Sequence, residues 1–259
     1  MGKTYFITGV NRGIGFEIVK KYLEADSSNI VIGTARNPSK ATELLELESK
    51  YKGQLHIIQL DVSDLKSIDS IDSQIKEVAK DGIDVYISNA AYSAPGAAKK
   101  VLELERQIWI DHYIVNVLGP FEVLRVIKPY LLKKETKHVV IISSLAGSLS
   151  QNFPISTGPY GQNKAALNHV AITLSHELSP EGITVVAAHP GLVDTESGRE
   201  VLKEYVEYKP ELSALLNNLP FDKITQEESA KGLIDTVIDP LTKEQNGKFL
   251  NYDGAELQW

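Results

Sequence analysis

The chain opens Lys3-Thr4-Tyr5-Phe6-Ile7-Thr8-Gly9-Val10-Asn11-Arg12-Gly13-Ile14-Gly15, and these residues decide the fold. Lys3–Thr8 is short, β-branched and aromatic, the pattern of a buried strand. Beyond the glycines, Phe16, Ile18, Val19 and Leu23 recur with the spacing of an amphipathic helix. Strand, glycine-rich turn and helix are the context that a dinucleotide-binding turn requires. In that setting Gly9 allows a tight turn, Gly13 lets backbone approach a pyrophosphate, and Gly15 permits close helix packing. Asn11 and Ile14 belong to the same cofactor-binding turn. The helix N-terminus then presents N–H groups and a positive dipole end to the phosphates. The plainer alternative is an ordinary glycine turn joining a strand to a helix.

Outward from this turn the chain alternates. A second strand, Asn29–Ala35, ends at Arg36, where an NAD-preferring fold tends to carry an acid for the ribose 2′-OH. Thr34-Ala35-Arg36-Asn37 offers none. Arg36, with Arg12 from the glycine turn, suits a 2′-phosphate instead; two solvated arginines are the bland alternative. Further strands are expected at Gln54–Leu60, ending at Asp61-Val62, at Ile83–Ser88, ending at Asn89-Ala90-Ala91, at Lys137–Ser143, and at Thr184–Ala188, before Pro190-Gly191. Helices are expected at Leu65–Ala79 and from about Glu103 to Lys133, with a bend near Asn116 and Gly119-Pro120. Near-continuous apolar strands alternating with helices imply a parallel sheet covered on both faces. No linker or repeat divides the sequence, so residues 1–259 read as a single doubly wound α/β domain. Ligands of such sheets bind beyond the carboxyl ends of the strands, where Gly9, Arg36, Asp61, Asn89, Ser144 and Pro190 all fall.

Composition limits the function. The 259 residues carry a formal net charge of −7, which disfavours nucleic acid or an anionic membrane as a bulk partner. With no cysteine there are no disulfides, thiolate metal sites or cysteine nucleophiles. The six histidines show no metal-ligand spacing, so no metal is expected. No leader and no apolar run of membrane-spanning length is evident, and a cytoplasmic protein is the default expectation.

The chemistry is expected at Gly158-Pro159-Tyr160-Gly161-Gln162-Asn163-Lys164. Four residues apart on a helix, Tyr160 and Lys164 share a face. A tyrosine hydroxyl titrates near ~10 in isolation. An adjacent ammonium stabilises the phenolate and lowers that value, giving an acid/base centre. Taken alone, the spacing is common on solvated helices.

With these motifs in this order, the chain resembles the short-chain dehydrogenase/reductase family over nearly its whole length. Thr8-Gly9-x-x-x-Gly13-x-Gly15 looks like the family's cofactor turn, and Leu60-Asp61-Val62 like its adenine-contact turn. Ser88-Asn89-Ala90-Ala91 stands where Asn-Asn-Ala-Gly is usual. Asn116, Ser144, Tyr160 and Lys164 align with the catalytic tetrad, and Pro190-Gly191 through Val193 and Thr195 with the nicotinamide clamp. The Ser-Leu-Ala-Gly-Ser run and His-Pro-Gly-Leu-Val-Asp-Thr are most similar to the sniffer-like or C-factor-like carbonyl reductases, fungal members included. The departures are Ser88, Ala91, Asn163 before the lysine, and a spacing of sixteen from Ser144 to Tyr160. The extra length, from Gln151 to Thr157, would form part of the substrate wall. No tetrad member is missing.

The resemblance implies a Rossmann domain with a parallel sheet of about seven strands and helices on both faces. It implies NADP(H) as cofactor and reduction of a small-molecule aldehyde, ketone or quinone. Tyr160 would be the general acid, Ser144 would hold the carbonyl oxygen, Lys164 would serve both tyrosine and ribose, and Asn116 would position a water. Ser143 is the competing serine, and Asn116 has a structural alternative as a helix-kink residue. His189 is expected to be a satisfied core histidine, and Asp194 and Glu196 solvated carboxylates. Residues 196–222 would cover the substrate, with Tyr92, Phe153, Tyr205, Tyr208, Phe221 and Trp259 as aromatics for an apolar pocket or for packing. A homodimer or homotetramer is expected, from the apolar surplus of Leu118–Leu132 and Ala165–Leu178 and from the family's habit of pairing these helices. Two rivals stay open: an NAD-linked alcohol dehydrogenase, and a dinucleotide-sensing protein without turnover.

Overall fold

The computed structural model describes residues 2–151, 157–208, 210 and 223–259, apart from the side chains of residues 197, 205 and 208. Strand β1 (Thr4–Ile7) leads through the glycine turn into α1 (Gly13–Ala25), then β2 (Ile30–Ala35), α2 (Thr42–Lys50) and β3 (Leu55–Gln59). Two short helices, α3 (Leu65–Asp69) and α4 (Ile71–Ile75), precede β4 (Val85–Ser88). The next crossover is α5 (Arg106–Tyr113), a π-helical turn (Ile114–Leu118) and α6 (Gly119–Leu131), ending in β5 (His138–Ile142). Then come α7 (Gly158–Leu178), β6 (Thr184–His189), α8 (Glu196–Tyr208), α9 (Gln226–Gly232), β7 (Phe249–Asn251) and β8 (Glu256–Leu257).

The strands form one sheet in the order β3-β2-β1-β4-β5-β6-β7-β8. The first seven are parallel, and the two-residue β8 pairs antiparallel with β7 at the edge. The expected sheet of about seven strands thus gains an eighth, too short to leave a pattern in the sequence. From β1 the chain builds outward to β3 and then returns to the other side of β1 as β4, with Phe6 in register with both Ile32 and Tyr86. That reversal is the switch point, and it opens a crevice beyond the ends of β1 and β4.

Both faces are covered because alternate strand residues are apolar on both sides. Ile7, Val31 and Val186 pack toward α1 and Leu233, while Phe6, Ile32 and Val185 pack toward α6 and α7. Val123, Leu124, Ile127 and Leu131 of α6, with Leu167 and Ala171 of α7, are buried in that second core. Much of the apolar surplus expected at a subunit interface is therefore used within the chain.

Candidate active site

The glycine turn is held by a polar brace. The Thr8 hydroxyl accepts the Asn89 and Ala90 N–H groups, each at 3.0 Å. Asn89 in turn donates through Nδ2 to Thr8 O at 3.0 Å and Gly9 O at 2.9 Å. A Cβ at Gly15 would lie 2.4 Å from Asn89 Nδ2 and 2.5 Å from Gly9 O, so the helix can approach this closely only with glycine there. Gly13, at φ +69°, has no heavy atom within 4 Å of where a Cβ would be. Among the described residues no side chain caps the N-terminus of α1. An open, positively polarised helix end behind a bare glycine fits a pyrophosphate. The exposed Asn11 and half-buried Ile14 lie in this turn.

Arg36 is exposed just past β2, and its carbonyl accepts Gln59 Nε2 at 3.3 Å. Arg12 is engaged by the Glu196 carboxylate at the start of α8. Glu196 is a solvated carboxylate as expected, 61% exposed, and the turn also brings an arginine to it. Asp194 likewise pairs with Arg199 at 3.0 Å. Asp61 lies two residues past β3, its Oδ1 accepting from Ser63 N at 2.9 Å and Ser63 Oγ at 2.6 Å. A Cβ at Gly119 would lie 2.8 Å from Val62 O, which places the Asp61-Val62 turn against the head of α6.

Ser144, Tyr160 and Lys164 come together where β5 ends and α7 begins. The 3-10 turn Leu145–Gly147 lies flat on α7: a Cβ at Gly147 would be 2.5 Å from Lys164 C, and one at Gly161 2.9 Å from Ala146 O. The Ser144 hydroxyl accepts Ala146 N–H at 3.2 Å and lies near enough to the Tyr160 phenol to act on its pKa. Ser143 faces the other way, donating to Asn168 Oδ1 and, at 3.5 Å, to Lys164 O. Strand alternation thus separates the two serines, and Ser144 is the one beside the tyrosine. Lys164 is buried, donates to Ile142 O at 2.8 Å, and sits 5.7 Å from the Tyr160 ring centre. Burial holds the lysine at about 8. Burial also pushes the Tyr160 phenol up, and the neighbouring Ser144 hydroxyl pulls it partway back. The expected lowering of Tyr160 by Lys164 is not found: burial sets the direction of the shift, and the Ser144 hydroxyl is what opposes it.

Asn116 sits on the π turn, 1% exposed, one helical turn beyond His112. Its Oδ1 accepts Tyr92 N–H at 2.7 Å and its Nδ2 donates to Tyr92 O at 2.8 Å. The side chain therefore fixes the segment leaving β4 rather than a carbonyl near Pro120, and the expected bend takes the form of that π turn. Pro190 O accepts the Ser229 hydroxyl at 2.6 Å. A Cβ on Gly191, at φ +86°, would meet Ile224 Cδ1 at 2.6 Å. Val193 bridges to Ile224, and the Thr195 hydroxyl accepts Gly198 N–H at 3.0 Å where α8 starts. His189 Nδ1 accepts Leu145 N–H at 3.2 Å, and burial lowers its pKa to about 4. Phe153 and Phe221 lie outside the described residues, as do the side chains of Tyr205 and Tyr208 and most of Gln151 to Thr157. Trp259 stacks on Phe249, which makes it packing.

The structure gives Thr8, read from the sequence only as the head of the cofactor-turn motif, a bracing role, and it adds Ser229 and His112, which left no local signal because Pro190 O and Ala94 N–H lie 39 and 18 residues away.

The model of the short chain dehydrogenase family matches residues 3–206, and the chain belongs to that family: it is an oxidoreductase of this class. An uncharacterized oxidoreductase of Saccharomyces cerevisiae is 43% identical over 256 residues, covering 98% of this chain and 96% of its own. Among solved structures, the NADPH-bound carbonyl reductase from chicken fatty liver superposes with a TM-score of 0.84 at 28% identity, covering 100% of this chain and 99% of that one. The carbonyl reductase Sniffer of Drosophila melanogaster gives 0.83 at 27%, covering 100% of both. Both neighbours are carbonyl reductases and one of them is Sniffer, in keeping with the resemblance the motifs carried.

Proposed function

We propose that the protein is an NADPH-dependent reductase of small-molecule carbonyls, with Tyr160 as general acid. The observation that carries this is the convergence of Tyr160, Ser144 and buried Lys164 at the strand ends, beside a glycine turn built for a dinucleotide. The bound nicotinamide supplies a hydride to the carbonyl carbon. Ser144 and Tyr160 hydroxyls grip the carbonyl oxygen, and Tyr160 delivers its proton as the new C–H bond forms. Burial keeps the Tyr160 phenol protonated at neutral pH and so able to donate, while the Ser144 hydroxyl offsets part of the acidity that burial removes. Lys164 neutralises the phenolate left behind and bonds the nicotinamide ribose. Asn116 holds the wall at Tyr92. Pro190, Gly191, Val193 and Thr195 form the clamp over the nicotinamide, while Asp61, Val62, Asn89 and Ala90 line the nucleotide crevice.

NADP(H) is favoured over NAD because β2 ends in buried Ala35 and exposed Arg36, with no acid for a 2′-OH. The NADPH-bound state of the chicken enzyme agrees with this choice. Residues 1–259 act as one domain and 196–222 as the substrate cover. The assembly is a homodimer or homotetramer, and the cytoplasm is the compartment; among the described residues no helix is long and apolar enough to cross a membrane.

The test is NADPH consumption against aldehydes, diketones and quinones, with Tyr160→Phe as control. The variant should bind NADPH normally and lose on the order of 10²–10⁴-fold in kcat. A near-normal kcat in that variant would overturn the assignment, and turnover only with NAD and an alcohol would favour the oxidative rival.

A further inference from the structure

The segment leaving β4, residues 92–98, is gripped from three directions. Asn116 clamps both backbone groups of Tyr92. One turn earlier, His112 Nε2 accepts Ala94 N–H at 3.1 Å while Nδ1 lies 2.8 Å from Ile108 O. A backbone N–H can only donate and a carbonyl can only accept, so the buried ring is neutral with its proton on Nδ1. The start of α7 presses on the next residues, since a Cβ at Gly158 would lie 2.7 Å from Ala97 O. Ala94, Ala97 and Ala98 are buried, and their small side chains permit that approach. The third contact comes from α8: the Gly96 N–H meets both carboxylate oxygens of Glu204, at 3.1 and 3.0 Å.

These contacts differ in kind. Those from Asn116, His112 and Gly158 join the segment to the crossover between β4 and β5 and to the start of α7. The one from Glu204 joins it to α8, which grows directly out of the 190–195 clamp. It is therefore the joint between the fixed wall and the cover. Glu204 is half-buried, and a backbone N–H bonded to an ionised carboxylate is stronger than a neutral pair.

We infer that Glu204 is a substrate-positioning residue: its carboxylate fastens α8 to Gly96 and so sets the closed cleft around the carbonyl. This rests on the reductase reading. Glu204 touches neither the tetrad nor the glycine turn, so its removal acts on closure and leaves the proton donor and the phosphate site in place. Substrate must then close the cleft unaided, and its apparent affinity falls by the fraction of closed protein lost.

The experiment compares full-length wild type, Glu204→Ala and Glu204→Gln by three readouts: amide exchange at Gly96, NADPH Kd by fluorescence, and KM and kcat for the best carbonyl of the panel. In Glu204→Ala, Gly96 exchange should quicken and KM should rise about tenfold, with NADPH Kd and Tm little changed. Glu204→Gln keeps an acceptor oxygen and should fall between the two. Unchanged Gly96 exchange overturns the contact. Faster exchange with an unchanged KM overturns the positioning role, as does a KM rise matched by losses in NADPH affinity and Tm. If wild type consumes NADPH with no carbonyl, the reductase reading fails instead, and the exchange arm still decides the joint.

Discussion

Lys164 carries opposite demands in one side chain. The site needs a cation under Tyr160, yet burial lowers its pKa from 10.5 to about 8, so folding disfavours the charged form. Between those values the unfolded chain binds more protons than the folded one, so stability rises with pH across this window. Below about 8 the full penalty is present, and above 10.5 it has vanished. The difference is worth about 3 kcal/mol. Urea unfolding of wild type and Lys164→Met at pH 7.5 and 10 should show this extra gain in wild type alone; equal pH responses would place the lysine in water. Arg36 carries the second residue-scale expectation. Glu196 competes for Arg12, which leaves Arg36 as the main discriminator of the 2′-phosphate. Arg36→Ala should cost NADPH on the order of tenfold in kcat/KM and leave NADH nearly unchanged. An acid should be placed at position 36 rather than 35, because Ala35 is 2% exposed and a carboxylate there would be buried. Arg36→Asp should invert the preference; equal kcat/KM for both cofactors in wild type would make Arg36 a mere surface residue. At this scale Tyr160, Lys164 and the glycines were legible because their chemistry is local. The Arg12–Glu196 pair was not, since its members are far apart in the chain.

Elements were legible in kind and inexact in detail, and the misses share a cause. The strands at Lys3–Thr8, Gln54–Leu60 and Lys137–Ser143 shrink by a residue at each end, and at their carboxyl ends the backbone turns into the site. Leu65–Ala79 breaks at Ser70, whose hydroxyl donates to Ser67 O at 2.7 Å while Ser73 Oγ takes Ser70 O at 2.8 Å. Such back-bonding competes with helix propagation, and periodicity does not register it. The π turn at Ile114–Leu118 is set by a tertiary contact, the Asn116 clamp on Tyr92. Asn116→Ala would leave the part-buried N–H and C=O of Tyr92 without that partner, with water replacing some of the loss, so stability should fall by about 1–2 kcal/mol. Asn116→Asp is the sharper probe. It keeps the acceptor for Tyr92 N–H but turns an oxygen toward Tyr92 O, so it should be no better than alanine. An aspartate variant as stable as wild type, measured by thermal unfolding, would show that the clamp is not what shapes the turn.

At the scale of the whole molecule, the surface left over after folding decides assembly. The apolar faces of α6 and the second half of α7 are largely consumed by the core, yet α5 is not covered. Ile110 is 38% and Tyr113 45% exposed, and with Leu104, Trp109, Gln162 and the buried Asn163 they line a groove of about 550 Å³ between α5 and α7. Asn163 Nδ2 has no hydrogen-bond partner among the described residues, although the residue is 2% exposed. A buried donor of that kind costs free energy until something accepts from it. The expectation drawn from Leu118–Leu132 therefore moves up the crossover to α5. A two-fold axis beside α5 and α7 would bring each groove against its copy and repeat every contact twice. Light scattering at micromolar concentration should give at least twice the 28.5 kDa chain mass, with a Tm that rises with concentration. Tyr113→Glu would set the same new charge on both copies in an apolar contact, and should shift the particle to chain mass while leaving NADPH affinity intact. A wild-type particle of chain mass, or a Tyr113→Glu protein that still assembles, would show that the α5 groove is simply exposed surface.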